Sequence, residues 1–208
     1  MDTMDTFVQR LQANDPRAYE ELLERYADKV YRIAYRVLGN RQDAEDATQE
    51  TFLAVYRNIA TFRGDAKFSS WLYRIAYNQA IQILRRRHPR LESLYADDEE
   101  EADTAETIPD DITPLPEEVL QARMLEACLQ ELLMELSPRL RAAFVLHELE
   151  GLPLREVAHI LNIGESAVKM RIHRARMQLQ KRLLERREGQ REVVPRGIAK
   201  PSRPGRDV

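Results

Sequence analysis

One stretch of this chain has no means of folding with the rest. Between Leu91 and Pro116 stand ten acidic residues (Glu92, Asp97, Asp98, Glu99, Glu100, Glu101, Asp103, Glu106, Asp110 and Asp111) and not a single Lys or Arg. Pro109, Pro114 and Pro116 interrupt it. Like charges at this density repel, and the apolar content is too low to offset the entropy of ordering. The segment reads as an extended, flexible linker, so each flank needs a core of its own. The expected organisation is 1–90 as a first domain, 91–116 as the linker, 117–187 as a second domain and 188–208 as a basic, unstructured tail. The few residues before about Asp5 also read as unstructured.

The linker hides a charge partition. Removing its ten charges from the net −3 leaves +7 on everything else. Between Glu165 and Arg187, Lys169, Arg171, Arg174, Arg176, Lys181, Arg182, Arg186 and Arg187 face only Glu165 and Glu185. Such a cluster fits a phosphate-binding surface, or the solvated face of a helix. Of 208 residues, 43% are hydrophobic, enough for one compact domain or two small ones. No apolar run approaches the roughly 20 residues of a membrane span, and the start lacks the basic-then-apolar layout of a signal peptide. Cys128 is the single cysteine, which excludes an intrachain disulfide and multi-cysteine zinc sites. A cytoplasmic protein with no membrane insertion, metal or cofactor is expected.

Seven glycines and almost no alternating apolar stretches argue against sheet, and three- and four-residue apolar spacing argues for an all-α fold. Asp15-Pro16 is a helix start followed by Tyr19, Leu22, Leu23, Tyr26, Val30, Ile33, Ala34 and Val37, with Gly39 as the stop. A second helix is expected from about Asp43 to Ile59. After the turn Arg63-Gly64-Asp65, a third runs from Phe68 to about Arg87. Beyond the linker, helices resume near Glu117, and Ser137-Pro138 opens one that ends at Gly151.

Leu154 to Leu161, the turn Asn162-Ile163-Gly164 and a basic helix from Glu165 have the spacing of a helix-turn-helix. Val157, Ala158, Leu161, Ile163, Val168 and Ile172 are its core positions, and Gly164 is the expected site of positive φ. Ser166, Lys169, Met170, His173 and Arg174 then fall on the outer side of the second helix, where a major groove is read. An ordinary helical hairpin is the plain alternative. In the first domain, Phe62, Arg63, Lys67, Phe68, Trp71, Tyr73, Arg74, Tyr77, Arg85, Arg86 and Arg87 interleave rings with cations, the ingredients of a single-strand site. Phe68 and Trp71 read first as bundle core, since a three-helix bundle needs large residues. Asn78 and Gln82, one turn apart, are placed to hydrogen-bond an extruded base.

The stretches Asp43-Ala44-Glu45-Asp46-Ala47-Thr48-Gln49-Glu50-Thr51-Phe52 and Phe68-Ser69-Ser70-Trp71-Leu72-Tyr73-Arg74-Ile75-Ala76-Tyr77-Asn78, followed by the helix-turn-helix, resemble an extracytoplasmic-function (group IV) sigma factor of the sigma-70 family. The resemblance spans about Asp15 to Arg187. It implies a region-2 bundle that opens the −10 element as single strands, and a region-4 domain that reads the −35 element as duplex. The implied partners are core RNA polymerase, through its β′ clamp coiled coil and β flap, promoter DNA, and an anti-sigma factor.

By the same resemblance, Asp43, Glu45, Asp46, Glu50 and Phe52 belong to the polymerase-docking helix. Arg63, Lys67, Trp71, Arg74, Asn78 and Gln82 belong to the −10 site, with Asn78 at the flipped base. Ser166, Lys169, Arg171 and Arg174 belong to the −35 site. Where primary sigma factors carry two adjacent tryptophans, this chain has Trp71-Leu72, implying a narrower ability to melt DNA. Pro153 replaces the usual side-chain cap before the helix-turn-helix. The acidic linker resembles the family connector that occupies the RNA exit path.

Two other classes compete. An enzyme would have to start from His147-Glu148, but a zincin motif needs a second histidine where Gly151 stands. A two-domain helix-turn-helix regulator would bind duplex DNA without polymerase and would not need the Asp43–Phe52 face.

Overall fold

Helix ends leave amides and carbonyls without partners, and in this chain particular side chains satisfy them. The computed structural model describes residues 3–87 and 122–192, so the acidic linker and most of the tail lie outside the described residues. Helix α1 spans Thr3–Gln12 and α2 spans Pro16–Leu38. Asp15 Oδ1 accepts from Arg17 N at 3.0 Å at the start of α2, and Gly39 ends it at φ 71°. α3, Arg41–Asn58, starts two residues before the expected Asp43 because Asn40 Oδ1 accepts from Asp43 N at 3.0 Å. A single 3₁₀ turn, Ile59–Thr61, and a loop with Gly64 at φ 80° lead to α4, Phe68–Arg87.

α1 was not anticipated. The segment was read as unstructured before Asp5 and given no helix before Asp15, yet it is helical from Thr3 and buries Phe7, Val8 and Leu11. Those three positions make only one short apolar stripe, too little to stand out as periodicity.

The second half is α5, Ala122–Met134, then α6, Pro138–Phe144, which passes into a π-helical turn at Val145–Leu149. Ser137 Oγ caps α6 by accepting from Leu140 N at 3.4 Å. The wide turn closes with Glu150 N donating to Val145 O at 2.9 Å, five residues back. α7, Leu154–Leu161, and α8, Glu165–Glu192, form the helix-turn-helix. α8 therefore continues past the expected domain end at residue 187. The positive φ between them lies at Asn162 (56°), not at Gly164. Asn162 ends α7, and Ile163 N donates to Ala158 O at 3.1 Å in the bond pattern of a Schellman stop. Asparagine tolerates this conformation through its short polar side chain, so the glycine beside it was a misleading signal.

Each half has a cluster of its own, Val37, Ala47 and Ala80 in the first and Leu133, Val145 and Ala175 in the second. The halves also share one. Phe68, Leu72 and Ala76 belong to the same buried cluster as Leu146, Val157 and Ile160, with α7 lying against α4. Gly39 is a point of close approach between the halves, with Met134 of α5 packed over it. A Cβ at Gly39 presses on Met134 Sδ, and the left-handed backbone disfavours any L side chain there. Gly39→Ala is therefore expected to lose about 1–2 kcal/mol in denaturant unfolding.

Candidate nucleic-acid interface

α4 carries the aromatic and basic signal of the first half, and its burial pattern sorts the rings. Phe68 is buried and meets Phe7, Tyr26 and Phe62 edge-on, with ring centroids 5.7–5.8 Å apart. It is a core residue. Trp71 is half-buried, leaning on Phe62 at 5.4 Å and Phe68 at 5.9 Å, so one edge is held and the other faces out. Trp71, Arg74, Asn78 and Gln82 recur at three- and four-residue spacing and share one face of α4. Asn78 and Gln82 are exposed and Arg74 is half-buried. The structure thus brings these four together.

Arg63 is exposed in the preceding loop, and Lys67 lies at the start of α4. Lys67 Nζ sits 2.5 Å from Glu156 Oε1, and Ser70 Oγ donates to Glu156 Oε2 at 3.0 Å. Behind this surface Tyr73 is buried, which pushes its phenol well above the usual range, and Lys29 Nζ lies 5.3 Å from its ring centre.

On α3, Asp43 lies inside the bundle and not on the outer face with the other acids. It is 4% exposed and its Oδ1 is ion-paired to Arg87 at the end of α4. It belongs to the α3–α4 joint, because the cap at Asn40 turns it inward in the first helical turn. Glu45, Asp46 and Glu50 are exposed, with Glu45 held by Arg41 at 3.0 Å, and Phe52 is half-buried. Two residues missed by charge-based reading extend this face: Leu53 at 45% and Tyr56 at 58% exposure. Their helical register with Glu45 and Asp46 was the available signal. The result is a mixed acidic and apolar surface.

The basic cluster of α8 divides in two. Val168, Ile172, Ala175 and Leu179 face inward. Ser166, Lys169, His173 and Arg174 are exposed on the outer side, while Arg171 is half-buried at its margin. Further along, Arg176 Nη2 meets Glu148 Oε1 at 2.6 Å. Arg182 reaches Glu135 at 3.1 Å, and Arg186 reaches Glu131 at 3.2 Å and Glu135 at 2.8 Å. The first turns of α8 thus carry its exposed outer residues, and the later bases Arg182 and Arg186 moor the helix to α5. His147 and Glu148, the enzyme lead, are tied into the helix-turn-helix base. His147 Nδ1 lies 2.8 Å from Leu152 O.

Comparison with known proteins places both halves. The family Sigma-70 region 2 matches residues 22–90, and the family Sigma-70, region 4 matches residues 126–179. Among curated relatives, the ECF RNA polymerase sigma factor SigW of Bacillus subtilis is 36% identical over 179 residues, covering 85% of this chain and 94% of that one. The ECF RNA polymerase sigma factor SigE of Mycolicibacterium smegmatis is 40% identical over 163 residues, covering 78% of this chain and 60% of that one. Among solved structures, CnrH in complex with the cytosolic domain of CnrY has the same fold, with TM-score 0.63 at 24% identity over 88% of this chain and 97% of that one. RpoE of Bartonella quintana, in complex with the anti-sigma factor NepR, gives TM-score 0.58 at 21% identity, covering 79% and 96%.

Proposed function

Because the chain belongs to the extracytoplasmic-function sigma factors of the sigma-70 family, we propose that it binds core RNA polymerase and directs initiation at particular promoters. The first half, about residues 1–90, opens the −10 element, and the second, about 117–187, reads the −35 element. The observation that carries this reading is the pairing of two differently built faces on one chain. A major-groove helix with Ser166, Lys169 and Arg174 outermost accompanies a stacking and hydrogen-bonding face of Trp71, Arg74, Asn78 and Gln82. A groove-reading regulator has no use for the second.

Glu45, Asp46, Glu50, Phe52, Leu53 and Tyr56 form the polymerase-docking face in this reading; Asp43 supports it from beneath. Among the described residues no helix is long and apolar enough to cross a membrane, in keeping with work at the chromosome in the cytoplasm. The chain performs no chemistry of its own and recruits the polymerase that does. An anti-sigma factor covering the docking face is the expected regulator. Each half binds weakly alone, and tethering on polymerase supplies affinity through effective concentration.

Asn78 provides the test within the first half. Its amide is exposed one turn beyond Arg74, where it can hydrogen-bond an unpaired base edge. Asn78→Ala is expected to lower open-complex formation about tenfold, the worth of one such bond. Permanganate reactivity of the melted strand reads this out, with −35 duplex binding unchanged in the same samples. Normal melting removes Asn78 from the site.

A further inference from the structure

The end of the π-helical turn and the first turn of α7 reach across to the first half through two carboxylates, Glu150 and Glu156. Glu150 has a side chain only 3% exposed, and three cations of α2 surround it. Arg36 Nη1 lies 2.7 Å from Oε1, Arg32 Nη2 lies 3.3 Å from Oε2, and Lys29 Nζ lies 3.9 Å from Oε2 while donating to the Glu150 backbone oxygen at 3.2 Å. Six residues on, Glu156 holds Lys67 and Ser70 at the start of α4. Two carboxylates thus occupy four cations and a hydroxyl of the other half.

The stoichiometry is uneven. One carboxylate neutralises one of three cations on α2, and a contact built only to join two helices needs no such excess. Lys29, Arg32 and Arg36 follow three- and four-residue spacing and so line one stripe about 10 Å long at the helical rise. Guanidinium and ammonium groups that hold a carboxylate through paired oxygens hold a phosphate through the same geometry.

We propose that Lys29, Arg32 and Arg36, continuing through Lys67 and Ser70, form a track for the phosphate backbone of nucleic acid, and that Glu150 and Glu156 stand in for phosphates on it while the two halves are packed together. Strand binding and closure are then mutually exclusive. A chain off the polymerase keeps its cationic track covered, and separation of the halves uncovers it. The proposal rests on reading the first half as the strand-opening half, and it adds α2 to a surface otherwise confined to α4 and its loop.

The test uses the full chain with Cys128→Ser and fluorophores at Ala13→Cys and Gln180→Cys, one on each half. Energy transfer between them reports closure. A labelled short single-stranded DNA of mixed sequence, without polymerase, reports the track. Glu150→Gln with Glu156→Gln is expected to lower energy transfer and to tighten DNA binding about tenfold at low salt. The slope of log affinity against log salt steepens by about 3, the value for four newly engaged cations, Lys29, Arg32, Arg36 and Lys67, on a single strand. Adding Lys29→Gln, Arg32→Gln, Arg36→Gln and Lys67→Gln returns affinity to the wild-type level while energy transfer stays low.

Should the buried Glu150→Gln change lower helical content in circular dichroism, Glu156→Gln alone decides, with an expected gain of about threefold. Opening without tighter binding overturns the track. Tighter binding that survives loss of the four cations overturns it equally, and unchanged energy transfer and affinity overturn the masking. Promoter-specific transcription by core polymerase with the wild-type chain is measured in parallel. Its absence defeats the sigma-factor reading itself, whatever the latch does.

Discussion

Arg141→Ala is expected to lose about 3 kcal/mol of folding stability, the largest effect of any single polar side chain among the described residues. Arg141 is 3% exposed. Its Nη1 donates to Val37 O at 2.5 Å and lies 3.1 Å from Met134 Sδ, while Nη2 donates to Met134 O at 3.2 Å and Leu136 O at 2.9 Å. These carbonyls lie at the C-terminal ends of α2 and α5, where intrahelical donors run out and the dipoles present partial negative charge. One guanidinium serves both ends because its donors diverge in a rigid fork.

Truncation strips two buried carbonyls, Val37 O and Leu136 O, and the partly buried Met134 O of a charged donor, each buried loss costing about 1–3 kcal/mol before the site relaxes. Arg141→Lys recovers only a minor part, since an ammonium cannot span the two helix ends. Denaturant unfolding of both variants measures this. A loss below about 0.5 kcal/mol for Arg141→Ala, within the range of an ordinary surface change, contradicts the capping role.

The second large effect separates the two portions of α8. Lys169→Ala and Arg174→Ala are each expected to weaken binding of the holoenzyme to a −35 duplex by about 1–3 kcal/mol, roughly 5- to 150-fold, if they read base edges. The loss is then greatest on the cognate sequence. Equal loss on every sequence assigns them to phosphates, with a salt slope smaller by about 1. Arg182→Ala is the counterpart with an opposite profile. Its guanidinium is committed to Glu135 and Glu185. It changes DNA binding little, and it affects stability by under about 1 kcal/mol, as exposed pairs do. A drop in −35 affinity for Arg182→Ala as deep as for Lys169→Ala contradicts the division.

That division shows what local sequence can carry. The run of bases in α8 has one composition throughout, and only the arrival of Glu131 and Glu135 from α5 makes its later part structural. Periodicity and capping chemistry are local, so Asp15-Pro16, Gly39 and Ser137-Pro138 marked helix ends that the fold contains. The helix-turn-helix core positions were equally legible, because their spacing follows from 3.6 residues per turn.

The inward turn of Asp43 was hidden from sequence because it depends on Asn40 capping α3 earlier than the acidic run suggests. Lys29, Arg32 and Arg36 went unread because their partner, Glu150, lies more than a hundred residues away, beyond the reach of any window. The acidic linker implied two bodies apart, whereas the described halves share buried contacts through α4 and α7. Long-range charge pairing and the packing of one half on the other are tertiary properties, and they were the portion hidden from sequence.

The most direct test of the account is run-off transcription by purified core RNA polymerase on a promoter library, with and without this chain. The expected result is a small set of templates initiated only in its presence, sharing one upstream duplex element and one melted element at fixed spacing. A polymerase that starts at the same sites with the same yields, whether or not the chain is added, contradicts it.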